Sequence, residues 1–304
     1  VEFDHSVIED FVLVRSNGTP VFNLANVVDD MSMGITNVIR AEEHLPNTPK
    51  QQMLWAALDR EPPVWGHVPV LVNEQRKKLS KRRDKVALEQ YRDEGYLADA
   101  MVNYLMTLGW SAGDDREILP WNEIVSLFAL NDVNLSPAFF DVKKLSAFNG
   151  EYIRMMSNGE FLGACDPWLP AEWDRSVFAM IAPHVQPRLV TFSDVSGVVD
   201  FIFAGVEYDD GSWEKVMTTE IAGALLDAAI ARYAALENWH AEELKSVLEE
   251  VMEPFGLKLG KAQAPVRVAV TGRTVGPPLF ESLEVLGQQE TLERMRVARS
   301  RIST

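Results

Sequence analysis

The chain has 304 residues, 47% hydrophobic and 24% charged, with 29 Lys+Arg against 45 Asp+Glu and a formal charge of −16. That length can bury more than one core, the composition is that of a globular protein, and no apolar run reaches the ~20 residues of a membrane span. A single cysteine, Cys165, excludes an internal disulfide and a thiolate-rich zinc site; the five histidines show no ligand spacing; and the net acidity disfavours nonspecific nucleic-acid binding without excluding a local basic face.

In chain order, residues 8–28 read as two extended pieces around the turn Ser16-Asn17-Gly18-Thr19-Pro20. Asn26 and Asp29 would share a face if that stretch winds into a helix. Ile35 to Arg40 alternates like a strand and delivers Arg40 to its carboxyl end. Thr48 and Pro49 suit an N-cap and first turn, followed by the apolar face Met53, Leu54, Ala57 and Leu58. Val68 to Val72 reads as a second strand. The order strand, helix, strand predicts a βαβ unit of an open α/β sheet, with its chemistry at the strand ends. Arg40 there could clamp a carboxylate with its planar fork, or form a surface ion pair with Glu42 or Glu43. These residues alone leave both readings open.

The second strand runs into Arg76-Lys77-Lys78-Leu79-Ser80-Lys81-Arg82-Arg83. From Arg76 to Lys85 there are seven basic residues and one acid, Asp84. Gathering cations in an acidic protein costs self-repulsion unless an anion sits there. Two lysines three apart beside a hydroxyl suit a polyanion such as triphosphate. A solvated basic loop or a nucleic-acid patch would need no such ligand.

Beyond the loop the pattern is mainly helical. Leu97, Met101, Tyr104, Leu105 and Leu108 form a stripe between Leu88 and Trp110. Helices are expected over Trp121–Leu130 and from Asn134-Leu135-Ser136-Pro137 to Phe140. Lys143 and Lys144 are candidates for phosphate contact. Pro167, Pro170, Pro183 and Pro187 divide the next stretch into short pieces. Two helices are expected between Lys215 and Met252, stopped by Pro254 and Gly256, and a helix pair closes the chain.

Lys78-Leu79-Ser80-Lys81-Arg82 is similar to the KMSKS loop of class I aminoacyl-tRNA synthetases. The runs Asp10–Pro20, Phe22–Asp30 and Gly34–Leu45, with that loop at the usual distance, resemble bacterial glutamyl-tRNA synthetase, and the similarity extends to near residue 304. The resemblance implies the second half of a Rossmann-like α/β nucleotide-binding domain over 1–73. The loop and a stem-contact domain would follow over 74–157, then two all-α anticodon-binding subdomains over 158–220 and 221–304. It implies a role for Phe22, Asn26 and Arg40 in binding L-glutamate. Glu43, Val70, Leu71, Lys78, Leu79, Ser80, Lys81 and Arg82 would bind ATP. Lys78, Ser80 and Lys81 would act in catalysis, and Arg188 would touch an anticodon base. ATP with Mg2+, glutamate tRNA and a monomeric cytoplasmic enzyme are implied; whether glutamine tRNA is also charged stays open. Phe22 departs from the family's frequent Tyr and puts one hydrogen bond to the substrate in doubt.

No HIGH-type motif is found, so the resemblance makes this chain the carboxyl-terminal part of a longer enzyme, inactive alone. A non-catalytic tRNA-binding module, or helices serving protein partners, are the alternative expectations.

Overall fold

The structure is a computed structural model that describes residues 1–80, 82 and 84–302. The chain forms two compact units. One comprises 1–87 and 102–144, the other 88–101 and 145–304.

The first unit opens with a tight turn, in which Arg15 N donates to Thr19 O (2.9 Å) and Val21 N to Leu13 O (2.9 Å). Helix α1 follows at Phe22–Ser32, so the second of the two pieces expected to be extended is helical. The reason is burial at helical spacing: Val27 is 1% exposed and joins Leu54 and Trp55 in a core flanked by Phe11, Leu13, Met31 and Trp65. Strand β1 (Asn37–Ala41) leads through a 3-10 turn at Glu42–Asn47 into helix α2 (Thr48–Ala57) and strand β2 (Val64–Val68). The two strands are parallel, with Asn37 opposite Val64 and Arg40 opposite His67, which makes the βαβ unit real.

Its second strand, however, is 64–68 and not 68–72. Pro69 has no N–H to donate, so pairing with β1 ends there. Leu71–Val72 forms β3 with a different partner, the parallel strand β4 at Ala138–Phe139. A helix over 134–140 is therefore also corrected. Asn134 Oδ1 accepts from Ser136 N (2.9 Å) in a local turn, and strand pairing takes the residues after Pro137. Thr48 is the first helical residue instead of the N-cap, which falls on Asn47 without a side-chain cap bond.

Leu88–Asp93 (α3) and Ala98–Met106 (α4) replace one long helix. Gly95 between them has φ +82°, and a Cβ there would lie 2.6 Å from Phe192 N. Helices α5 (Trp121–Leu127) and α6 (Val142–Met155) follow.

The second unit is helical. Helix α7 (Asn158–Cys165) starts with a capping box, Ser157 with Glu160. Helix α8 (Arg175–Val185) contains Pro183 without breaking, because the ring falls in the last turn and Ile181, Ala182 and Val185 are fully buried around it. These helices and α9 (Val195–Phe203) share a core of Phe161, Phe178, Ile181 and Val199. Between Lys215 and Met252 the expected two helices, α11 (Glu220–Ala234) and α12 (Ala241–Met252), are preceded by the end of a third, α10 (Asp210–Met217). Helices α13 (Leu259–Thr271), α14 (Leu279–Leu286) and α15 (Gln288–Arg301) complete a second core around Leu225, Tyr233, Leu244, Val266 and Met295. Each such side chain, fully buried, contributes about 1.5–3 kcal/mol against exposure. Among the described residues no helix is long and apolar enough to cross a membrane.

Candidate active site

In the first unit, α1 carries Phe22 and Asn26, and β1 carries Arg40. Parallel register sets Arg40 beside His67. Arg40 Nε donates to His67 Nε2 (3.3 Å), and Nη2 donates to Thr48 Oγ1 (2.9 Å) and His44 O (3.4 Å). Among the described residues Arg40 has no carboxylate in ion-pair contact, so the surface pair with Glu42 or Glu43 is not formed. Burial pulls the Arg40 pKa below its usual value, and Asp30 opposes that shift. Burial, then the charges of Arg40 and His44, lowers that of His67.

Asn26 is oriented from below. Gln51, 1% exposed on α2, donates through Nε2 to Asn26 Oδ1 (2.9 Å) and Asn23 Oδ1 (3.4 Å). With its oxygen engaged, Asn26 keeps its two N–H donors for another partner. Phe22 is half exposed, its ring 5.7 Å from that of His44. Arg40 Nη1 and Asn26 Nδ2 can each only donate.

The basic loop springs from β3 as a small hairpin. Leu79 N donates to Leu71 O (3.1 Å) and Asn73 N to Lys77 O (2.9 Å). Asn73 Oδ1 accepts from Gln75 N (3.1 Å) and Lys77 N (3.0 Å), while its Nδ2 donates to Asp84 Oδ1 (3.3 Å). The other Asp84 oxygen accepts from Ser80 N (2.7 Å). The acid inside the basic run is therefore the clasp of its turn. Ser80 Oγ accepts from Arg82 N (3.4 Å). Lys81, expected to act on the phosphates, and Arg83 lie outside the described residues.

Lys78 Nζ contacts the Glu43 carboxylate, and Glu42 Oε1 accepts from Val70 N (3.4 Å). Lys78 thus ties the loop to Glu43, Val70 is held by the neighbouring Glu42, and Leu71 pairs with Leu79. Lys78 and Glu43 are 58% and 41% exposed, so the pair is worth about 0–1 kcal/mol and yields easily to a stronger anion. At the foot of the loop, Arg76 and Lys143 line a cleft of about 810 Å³ with Asn73, Pro137 and Phe139. Lys144 instead pairs with Glu117.

In the second unit, Arg188 Nη1 donates to Gly276 O (3.3 Å) and Arg267 Nη1 to Pro277 O (2.6 Å). Burial, then the Arg188 charge, pulls the Arg267 pKa below its usual value. Among the described residues neither arginine forms an ion pair. Both arginines thus bond to the Gly276-Pro277 turn, and the Glu281 charge opposes the shift at Arg267.

His67, Thr48 in this role, Gln51, Arg267 and the Asn73–Asp84 clasp were not legible as site residues. Only Asp84 carried a signal, as the lone acid of the run.

The description "tRNA synthetases class I (E and Q), catalytic domain" matches residues 1–147, and "Anticodon binding domain" matches 160–299. A glutamate–tRNA ligase of Salinispora tropica is 62% identical, covering 99% of this chain and 67% of the relative. One of Thermobifida fusca is 60% identical, covering 98% and 65%. A crystal structure of a glutamate tRNA ligase from Elizabethkingia meningosepticum in complex with its amino acid superposes with a TM-score of 0.80 at 28% identity, covering 98% of this chain and 63% of that one. This chain thus spans about two thirds of the length of the curated relatives it matches. On these similarities the chain belongs to the glutamate–tRNA ligase family of class I aminoacyl-tRNA synthetases.

Proposed function

We propose that this chain supplies the glutamate-binding wall and the phosphate-binding loop of an enzyme that activates L-glutamate with ATP and transfers it to tRNA. The observation that supports the reading is Arg40, free of any carboxylate partner among the described residues and held by His67 and Thr48, in the same unit as a clasped basic loop whose lysine rests on Glu43. The names of the relatives support the same substrate.

In the reaction, the α-carboxylate of glutamate attacks the α-phosphorus of ATP, the bond to the bridging oxygen breaks, and pyrophosphate leaves. A hydroxyl of the tRNA end then attacks the carbonyl carbon of glutamyl-adenylate, the bond from that carbon to the phosphate oxygen breaks, and AMP leaves with the hydroxyl proton passing to its phosphate. Arg40 and Asn26 hold the side-chain carboxylate, and Phe22 closes the pocket wall. Lys78, the Ser80 turn, Lys81 and Arg82 take up the charge of the triphosphate. When ATP arrives, Lys78 exchanges Glu43 for a phosphate oxygen. Catalysis then rests on positioning and charge stabilisation, with no protein nucleophile.

Magnesium would accompany the nucleotide and neutralise phosphate charge; among the described residues there is no cluster of three or more His, Cys, Asp or Glu. Arg188 and Arg267 face the anticodon of glutamate tRNA, and Lys143 with Arg76 takes a backbone phosphate. The enzyme works in the cytoplasm.

The test is Arg40→Lys in the full-length enzyme, followed by glutamate-dependent ATP–pyrophosphate exchange with tRNA present. An ammonium cannot keep the contacts to His67, Thr48 and His44 O and also present a donor to the ligand. The KM for glutamate should rise about tenfold or more while that for ATP stays within about twofold. A glutamate KM unchanged in Arg40→Lys removes the carboxylate assignment.

A further inference from the structure

We propose that His67 is the positioning residue of the carboxylate pocket: as a neutral acceptor it fixes the Arg40 guanidinium, together with Thr48. This rests on the reading that Arg40 meets the glutamate side chain.

The geometry begins with β-strand register. Parallel pairing puts Arg40 and His67 opposite each other, so their side chains leave the sheet on one face. Arg40 Nε lies 3.3 Å from His67 Nε2. A guanidinium can only donate, so His67 Nε2 must accept, and the ring carries its proton on Nδ1. Thr48 Oγ1 closes a triangle, 2.9 Å from Arg40 Nη2 and 3.1 Å from His67 Nε2. The same hydroxyl is 3.5 Å from His44 O.

Two edges of the fork are consequently spent on the protein. What remains for a ligand is Nη1. An arginine free to rotate would present any edge and would lose side-chain entropy on meeting its ligand. A fixed one meets an oxygen at a set place.

Protonating His67 removes the acceptor and sets a cation against Arg40. The ionisable groups around it are Arg40 on β1 and His44 on the 3-10 turn, with Glu43 3.8 Å beyond His44, and Asp30 on α1 facing Arg40. Arg40 and burial both oppose the charge, so the imidazole stays neutral to a lower pH than usual. Glutamate affinity should therefore fall only on the acid side of the ordinary imidazole range.

The experiment uses the full-length enzyme, with KM for glutamate and for ATP read from ATP–pyrophosphate exchange between about pH 5 and about pH 8. His67→Leu should raise the glutamate KM about tenfold and leave kcat and the ATP KM within about twofold. His67→Gln keeps an acceptor that cannot titrate. It should restore most of the affinity and abolish the acid rise seen in the parent, whereas His44→Gln should leave that rise in place. The Gln variant and the parent's pH profile also decide the matter if His67→Leu does not fold. If Arg40→Lys raises the glutamate KM but His67→Leu does not, the positioning role is overturned and the carboxylate reading stands. An acid rise that persists in His67→Gln also overturns it. An unmoved KM in Arg40→Lys overturns both.

Discussion

Removing the Asp84 carboxylate tests whether the basic loop works as a shaped turn or as a cloud of charge. Asp84 accepts from Ser80 N at 2.7 Å and from Asn73 Nδ2 at 3.3 Å, and its own N–H closes on Ser80 O at 2.8 Å. Hydrogen bonds to a charged acceptor are worth about 1.5–3 kcal/mol each. The longer contact and the half-exposed setting reduce this, and about 2 kcal/mol for the side chain as a whole is a reasonable figure. That corresponds to about a thirtyfold loss in the population of the clasped loop. If the loop must be clasped as pyrophosphate departs, Asp84→Ala in the full-length enzyme lowers kcat for exchange by about that factor, with the glutamate KM unchanged. Asp84→Asn keeps one acceptor oxygen for Ser80 N and should lose only about fivefold. Pure charge predicts the opposite sign, because both substitutions make the loop more cationic and should tighten ATP. A lower ATP KM with kcat intact would refute the argument from shape.

Other outcomes follow from single residues. Phe22→Tyr should leave the glutamate KM unchanged or lower it, since the ring is half exposed and has room for a hydroxyl; a large rise would remove Phe22 from the pocket wall. Gly272→Ala should lower stability by more than about 3 kcal/mol in urea unfolding. Gly272 has φ +77° and a Cβ there would lie 1.8 Å from Glu207 O, so a loss below about 1 kcal/mol would contradict the packing. His240 Nδ1 lies 3.1 Å from Glu284 Oε1, which also raises the imidazole pKa above its usual value and lowers that of the carboxyl. Stability from this pair should be lost as pH rises through the raised histidine pKa and as it falls through the lowered glutamate pKa. NMR titration should place His240 above the ordinary imidazole range, and Glu284→Gln should return it there.

What the linear sequence revealed and what it hid divide along physical lines. The place of Arg40 on a strand was legible from the alternation of Ile35–Arg40, while its partner was not, since the clamp and the surface ion pair fitted the residues equally. The helix that carries Asn26 was hidden, because the first half of that stretch, with its Asn-Gly turn, argued for an extended chain. Burial of Val27 decided for the helix. His67 was hidden because its partner is set by strand register across 27 residues of separation, and no spacing rule reaches that far. The break at Pro69 was readable from its missing donor, yet the apolar run Val68–Val72 outweighed it. The turn at Asn134 looked like a helix start because Asn and Pro serve both purposes. Strand pairing with Leu71–Val72, a long-range contact, settled it.

Cys165, the single thiol of this chain, lies fully buried in the core of α7 and α8, and burial raises its pKa to about 12. Thiolate attacks alkylating reagents and thiol does not, so in the folded chain this sulfur is silent near neutral pH. It becomes reactive only when Phe161, Phe178 and Ile181 separate around it. The rate at which an iodoacetamide-type reagent marks Cys165 is therefore a clock for opening of that one core. Run with and without tRNA, the clock would report whether RNA binding steadies these helices, at a position that needs no introduced label.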